Sequence, residues 1–211
     1  MKRFLLQGTI FTITCHAVVF CVGGSILLRN FAPLTPMSVV SRKTHGGAGD
    51  FDIDLPLAGS PGIECRTDGG LIRDYTIVLT FSGNVIVTGD PQAQVTLGIG
   101  IIGSGGVGNG GQVTIDGNIV TIPLTNVANA QIINVTLFGV NGVGNVVVPM
   151  AVLAGDVNGN GIVNASDVAQ TKLLLGEPID LTTFRCDVST NGSINATDVT
   201  FLKSKVGTGL P

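Results

Sequence analysis

The sequence predicts a mainly β chain, an immunoglobulin-like β-sandwich followed by a small α domain of two loop–helix repeats. Three observations predict it. Glycine is about twice as frequent as in an average protein, 31 residues in 211, and Val, Ile and Thr abound where helix formers are scarce. Short alternating apolar and polar runs separated by turn residues fill residues 41–153, with no helix-length periodicity before residue 160. From Asp156 onward, one twelve-residue pattern rich in Asp, Asn and Gly occurs twice, each time before a helix-forming stretch.

Each region follows from its residues. Lys2 and Arg3 precede an apolar segment, Phe4–Leu28, that ends at Arg29. The small residues of Val22-Gly23-Gly24 suit a signal peptidase, so residues 1–30 are read as an export signal. Phe11–Leu28 is also just long enough for a tilted span, which keeps a retained membrane anchor as the alternative, and a misassigned start as a third. Either of the first two places the protein outside the cell or at its surface. Residues 31–40, with Pro33 and Pro36, are read as a linker.

Residues 41–153 form the sandwich. Asp50-Phe51-Asp52-Ile53-Asp54-Leu55 alternates cleanly, which sends carboxylates to one face and apolar groups to the other. Further strands are expected at 63–66, 75–81, 85–88, 94–102, 112–115, 119–124, 131–140 and 145–152. Asp116-Gly117-Asn118 is a hairpin turn between two of them, and Ser82-Gly83-Asn84 is read as joining another pair. Gly98–Gly103 and Gly103–Gly108 both spell G-x-G-x-x-G, but that motif binds a dinucleotide through a following helix N-terminus. Here glycines and another strand follow, so these strings are read as a mobile hairpin loop.

The last domain, 154–211, carries the chemistry. Calcium is a hard cation that takes six to eight oxygens, and a twelve-residue loop supplies them from positions 1, 3, 5, 7, 9 and 12. In the first loop those positions hold Asp156, Asn158, Asn160, the Ile162 carbonyl, Asn164 and Asp167, with Gly161 at the sharp turn of position 6. In the second they hold Asp187, Ser189, Asn191, the Ser193 carbonyl, Asn195 and Asp198, with Gly192 at the turn. Val163 and Ile194 at position 8 are apolar, as packing one loop on the other requires. Helices are expected over Ala165–Leu175 and Ala196–Val206, each closed by a glycine, Gly176 or Gly207. Two Ca2+ ions are the expected cofactors.

Loops with one helix each and Asp at position 12, instead of helices on both sides and Glu, resemble the type I dockerin family across residues 155–211. The resemblance implies two calciums, near twofold internal symmetry and a cohesin partner in a secreted bacterial, polysaccharide-degrading assembly. Asn160 and Asn191 stand where the family more usually has Asp, so each loop carries two carboxylates, and affinity on the order of 10⁻⁶ to 10⁻⁴ M is expected. Family recognition positions fall on Ala165 and Ser166 and on Ala196 and Thr197, with Lys172, Leu173 and Lys203 on the helices that follow. The matched pairs Ala-Ser and Ala-Thr imply two rotated binding modes. The alternative partner for this face is the protein's own sandwich. Ser41–Gly46, with Asp50–Leu55 and Pro61–Arg66, resembles a sandwich module that precedes dockerin repeats at the C-terminal ends of large secreted bacterial proteins.

Other functions lack their residues. Charged side chains make up 12% of the chain, about half the usual share, and a net charge of -3 offers no footprint for nucleic acid. A glycosidase needs two carboxylates roughly 5–10 Å apart in a cleft. Asp50, Asp52, Asp54, Glu64 and Asp74 are its candidates, but three acids on one strand face more simply discourage edge pairing. His45 is the only histidine beyond the N-terminal segment, and no Ser or Cys has an evident base beside it. With no Trp and a single Tyr, a sugar-stacking platform is poorly supplied. A non-catalytic docking module is expected, with a calcium-stapled structural or carbohydrate-binding module of a larger cell-surface protein as the alternative. Cys15 and Cys21 would leave with a cleaved signal, and Cys65 and Cys186 would either staple the two domains or stay unrelated thiols.

Overall fold

The computed structural model describes residues 18–22, 25–29, 35–67, 74–103 and 110–211. The chain divides into two compact units, Met1–Pro33 and Leu34–Pro211. In the first, β1 (Val18–Val22) and β2 (Ser25–Arg29) form an antiparallel hairpin that runs from Val18↔Arg29 to Val22↔Ser25. The rest of the export or anchor segment lies outside the described residues, Cys15 included. Among the described residues no helix is long and apolar enough to cross a membrane.

The second unit is a two-sheet sandwich continued by two short helices. Its strands are β3 (Pro36–Thr44), β4 (Asp50–Asp54), β5 (Gly62–Glu64), β6 (Tyr75–Phe81), β7 (Ala93–Leu97) and β8 (Ile101–Ile102). They continue with β9 (Gly110–Gly111), β10 (Thr114–Asp116), β11 (Ile119–Thr125), β12 (Gln131–Val140) and β13 (Gly144–Val152). The helices are α1 (Ala165–Leu173) and α2 (Ala196–Lys205). One sheet has the order β10-β11-β6-β3-β4, with β8 also paired to β11; the other runs β5-β13-β12-β7-β9. Between them lies one apolar core. Ile77, Leu79, Val120 and Ile122 from the first sheet meet Val95, Ile133, Val135, Leu137 and Met150 from the second. The alternation that predicted the strands is what fills it, since every second side chain points inward.

Several boundaries differ from the sequence reading. Residues 36–40 are not linker: Pro36–Val40 is the first half of β3, a central strand registered on β6 from Pro36↔Phe81 to Val40↔Val78. Pro36 sits at the strand's first position, where a missing N–H is tolerated. Residues 85–88 do not form a strand beside β6. They cross from one sheet to the other, where Val87 makes a single bridge to Val140. Expected strand 94–102 is broken into β7 and β8 because Gly98 turns the backbone into the left-handed region, at φ 84°. The next described element after Gly103 is β9, and residues 104–109, where the mobile hairpin loop is expected, lie outside the described residues. The Asp116-Gly117-Asn118 hairpin is present, closing β10 on β11 at Asp116↔Ile119.

Sheet and helices are joined by backbone, not by a loose tether. β5 runs parallel to β13 at one sheet edge, and both strands overrun the sheet side by side. Leu153 N donates to Glu64 O at 3.0 Å, Gly155 N to Cys65 O at 2.9 Å, and Thr67 N to Val188 O at 2.6 Å. The ladder therefore reaches both calcium-type loops. α1 and α2 pack over a small core of Val157, Val168, Cys186, Val188, Ile194, Val199 and Leu202.

Candidate metal centre

Each predicted loop closes on its own carboxylates. In the first, Asp156 Oδ1 accepts from Asn160 N at 3.1 Å and Oδ2 from Gly161 N at 2.8 Å. Asn158 Oδ1 accepts from Asn160 N, and Asn160 Oδ1 from Ile162 N, at 3.1 and 3.0 Å. Asp167, nine residues beyond Asn158, accepts from Asn158 N and Asn164 N at 3.3 and 2.9 Å. The second loop repeats the scheme. Asp187 accepts from Asn191 N and Gly192 N at 3.1 and 3.0 Å, Asn191 from Ser193 N at 3.0 Å, and Asp198 from Ser189 N and Asn195 N at 3.0 and 2.9 Å.

The sequence folds this way for local reasons. Gly161 and Gly192 adopt φ of 85° and 89°, a conformation costly for any residue with a Cβ. Asn164 and Asn195 cap the two helices, accepting from Ser166 N and Thr197 N, while Asp167 and Asp198 return to the cap backbone. Positions 9 and 12 thus serve as capping boxes as well as candidate ligands. The repeats are tied crosswise: Gly207 N donates to Val163 O, and Gly176 N to Ile194 O, at 2.9 and 3.0 Å. The position-8 residues meet the partner repeat's post-helix glycine, not each other's loop by packing alone.

This donor set suits a hard cation. Asp156, Asp167, Asp187 and Asp198 are all fully buried, two carboxylates to a loop. Among the described residues, no salt bridge reaches Asp156, Asp167 or Asp198. Burial holds the Asp156 carboxyl above its ordinary value, opposed by the Gly161 and Asn160 N–H groups, and the nearby Asp167 charge adds to the rise. Two close, buried negative charges are what a divalent cation relieves. The remaining oxygens are amide, hydroxyl and carbonyl, the chemistry calcium prefers. Ser189 is the weakest of them. Its hydroxyl donates to Asp198 at 2.8 Å, and the Ser193 carbonyl accepts from Asn195 Nδ2 at 3.1 Å.

The sequence reading missed the groups that the sandwich brings to the second loop. His45 Nδ1 lies 3.0 Å from Asp187 Oδ2, and both residues are fully buried. Arg66, itself buried, places Nη1 3.2 Å from His45 Nε2 and is paired with Glu64 at 2.8 and 2.9 Å. Phe51 stacks on Phe184 with centroids 5.4 Å apart, in a cluster with Ile53 and Cys65. Arg185 joins three segments, donating to Val157 O, Asp156 O and Ile63 O. Glu64, weighed as a catalytic acid, is instead sealed in this network, and Asp52 on edge strand β4 pairs with Arg42 at 2.7 Å. Cys65 and Cys186 are free buried thiols, not a staple, and burial pushes the Cys65 thiol up to about 11.

The expected recognition residues sit apart from this contact. Ala165, Ser166, Lys172 and Leu173 on α1, and Ala196, Thr197 and Lys203 on α2, are all exposed. Ala196, Thr197, Thr200 and Phe201 line a shallow groove.

Residues 154–207 match the family model of the type I dockerin domain. No curated protein and no solved structure matches the chain. The C-terminal segment is therefore a dockerin domain, of a family that binds calcium and docks onto cohesins.

Proposed function

We propose that this chain is an exported docking protein whose dockerin domain binds two Ca2+ ions and attaches to a cohesin-like domain, in a polysaccharide-degrading assembly. The observation that carries the proposal is one donor scheme built twice, each loop closing two buried carboxylates onto the same backbone N–H groups. Calcium held there fixes the loops against the helices through the capping residues Asn164, Asp167, Asn195 and Asp198. The proposed ligands are the twelve groups at positions 1, 3, 5, 7, 9 and 12. The assembly it serves rests on the family match.

A second reading treats the module as an internal calcium staple for the sandwich, and the His45, Arg66 and Phe51 contacts favour it. The two readings do not compete for surface. The contacts with the sandwich use the second loop, the turn before it and the backbone leading into the first loop, whereas the seven proposed recognition residues stay exposed on the helices.

Calorimetric titration of the full chain tests the calcium step. Two ions per chain are expected, falling to one in Asp156→Ala and in Asp187→Ala. No heat, or unchanged stoichiometry in both variants, overturns it. Retention on a recombinant cohesin domain, abolished by chelator and weakened by Leu173→Glu with Ala196→Glu, tests the docking step. Retention that survives the chelator overturns that step alone.

A further inference from the structure

Asp156 and Asp187 occupy the same position in their loops, yet Asp187 has two further side-chain neighbours, the Ser189 hydroxyl of its own loop at 3.5 Å and His45 at 3.0 Å. Each accepts two backbone N–H groups from its own loop. Asp187 alone also receives a side chain from the sandwich, His45, which follows β3 by one residue and lies 142 residues away in sequence. Building on the calcium reading above, we propose that His45 is a positioning residue of the second calcium site: its Nδ1–H orients the Asp187 carboxylate, so that the sandwich sets the affinity of that site and not of the first.

The network leaves the histidine one state. Arg66 only donates, so Nε2 of His45, 3.2 Å from Arg66 Nη1, must be the acceptor. The ring proton therefore sits on Nδ1 and points at Asp187 Oδ2. Arg66 is itself immobilised, donating to Glu64, Phe51 O and Ser41 O at 2.8 to 2.9 Å. Phe51 and Phe184 meet the His45 ring edge-on, with centroids 5.2 and 6.0 Å away. The fully buried imidazole is thus held at both ring nitrogens and flanked by two aromatic rings.

Such an outer donor matters because a ligand already held in its binding rotamer loses less freedom when the metal arrives. The second loop is also where the help is needed. Position 3 is Ser189 there, against Asn158 in the first loop, and its hydroxyl is engaged with Asp198. The second loop thus has the poorer set of its own oxygens and the better-held first ligand.

Two conservative variants of the full chain separate positioning from packing. The amide nitrogen of His45→Asn reaches about where Nδ1 stands and keeps the donor to Asp187 while losing Arg66. In His45→Gln the amide reaches about as far as Nε2, keeping a partner for Arg66 and losing the donor. In an Asp156→Ala background, where calcium fills the second site only, His45→Gln should weaken binding about 10–100-fold and His45→Asn by no more than about threefold. In an Asp187→Ala background His45→Gln should change nothing. Equal effects of Asn and Gln, or a loss at the first site, overturn the assignment. Independently of any variant, the His45 Nδ1–H resonance of the wild-type chain should shift in step with filling of the second site, and a resonance that ignores calcium overturns it too. If the wild type binds no calcium at all, it is the underlying calcium reading that fails.

Discussion

In the first repeat the leading carboxylate, Asp156, meets only the N–H groups of Asn160 and Gly161. In the second, Asp187 meets the equivalent Asn191 and Gly192 and, in addition, the Ser189 hydroxyl and a histidine from the sandwich. The turn preceding the second loop carries Phe184 onto Phe51 of β4, and the loop itself lies against Gly46, whose Cβ, if it had one, would sit 2.6 Å from Asn191 O. Two loops with one internal geometry are made unequal by their neighbours. Local sequence decides how a loop folds, and long-range contacts decide how firmly it is held.

The largest expected effect removes that base. Glu64→Gln takes away the carboxylate paired with buried Arg66 and should cost about 3–5 kcal/mol in denaturant unfolding at neutral pH, as breaking a buried pair from one side does. Burial alone would raise the Glu64 carboxyl. The Arg66 guanidinium and the Ser41 hydroxyl override it and hold the group below the usual carboxylate range of 4.5. A lowered folded value means that the pair's stabilisation is present above that range and fades as pH falls through the folded value. The variant should therefore lose part of the wild type's acid limb. Hydrogen exchange should quicken at Asn191 and Gly192 while Asn160 and Gly161 keep their protection. Equal loosening of both loops would show that the network does not act through the second repeat.

A smaller effect runs the other way. Arg185 belongs to the second repeat, but its guanidinium serves the first, donating to Val157 O at 2.8 Å and Asp156 O at 3.0 Å, with 3.3 Å bonds to Ile63 O. Arg185→Met keeps the aliphatic stem and removes the donors. Unfolding should register a loss of about 1–3 kcal/mol, the usual cost of part-buried carbonyls left without partners. Exchange should now quicken at Asn160 and Gly161, a mirror of the Glu64 result.

Much of this architecture was legible in the sequence. The closure of the two loops was, because its requirements are local: a carboxylate at the first position, a glycine at the turn, a cap before the helix. Period-two alternation likewise marked β4, β6, β11 and β12. What escaped was set at long range. Pro36 argued for a linker, yet Val39 is needed in the core, and tertiary pairing carried β3 back across the proline. Residues 85–88 alternate like a strand but are spent crossing between sheets. His45 and Glu64 read as a lone histidine and a candidate acid, and Arg66 only as the end of an expected strand. Nothing at local spacing says that they face Asp187. Only one signal hinted at it: the sole histidine beyond the N-terminal segment sits in a domain with very few charges.

The two position-6 glycines offer the finest test of the comparison, because their backbones are matched and their surroundings are not. Gly161 and Gly192 have φ of 85° and 89°, so an alanine at either site pays about 1–2 kcal/mol for a left-handed backbone. A Cβ on Gly161 would find only Leu210 Cδ1, at 3.8 Å, an ordinary contact with a side chain free to yield. On Gly192 it would lie 3.2 Å from His45 O and 3.3 Å from Gly46 Cα and Gly47 N, backbone on three sides. That crowding should add about 1 kcal/mol, the low end of overpacking costs, to the strain that both variants share. Thermal unfolding of Gly161→Ala and Gly192→Ala in the presence of chelator reads the difference without calcium in the balance. Gly192→Ala should be the less stable of the two. If instead the two alanines cost the same, the second loop does not rest on the turn after β3 in solution, and the inequality of the repeats disappears with that contact.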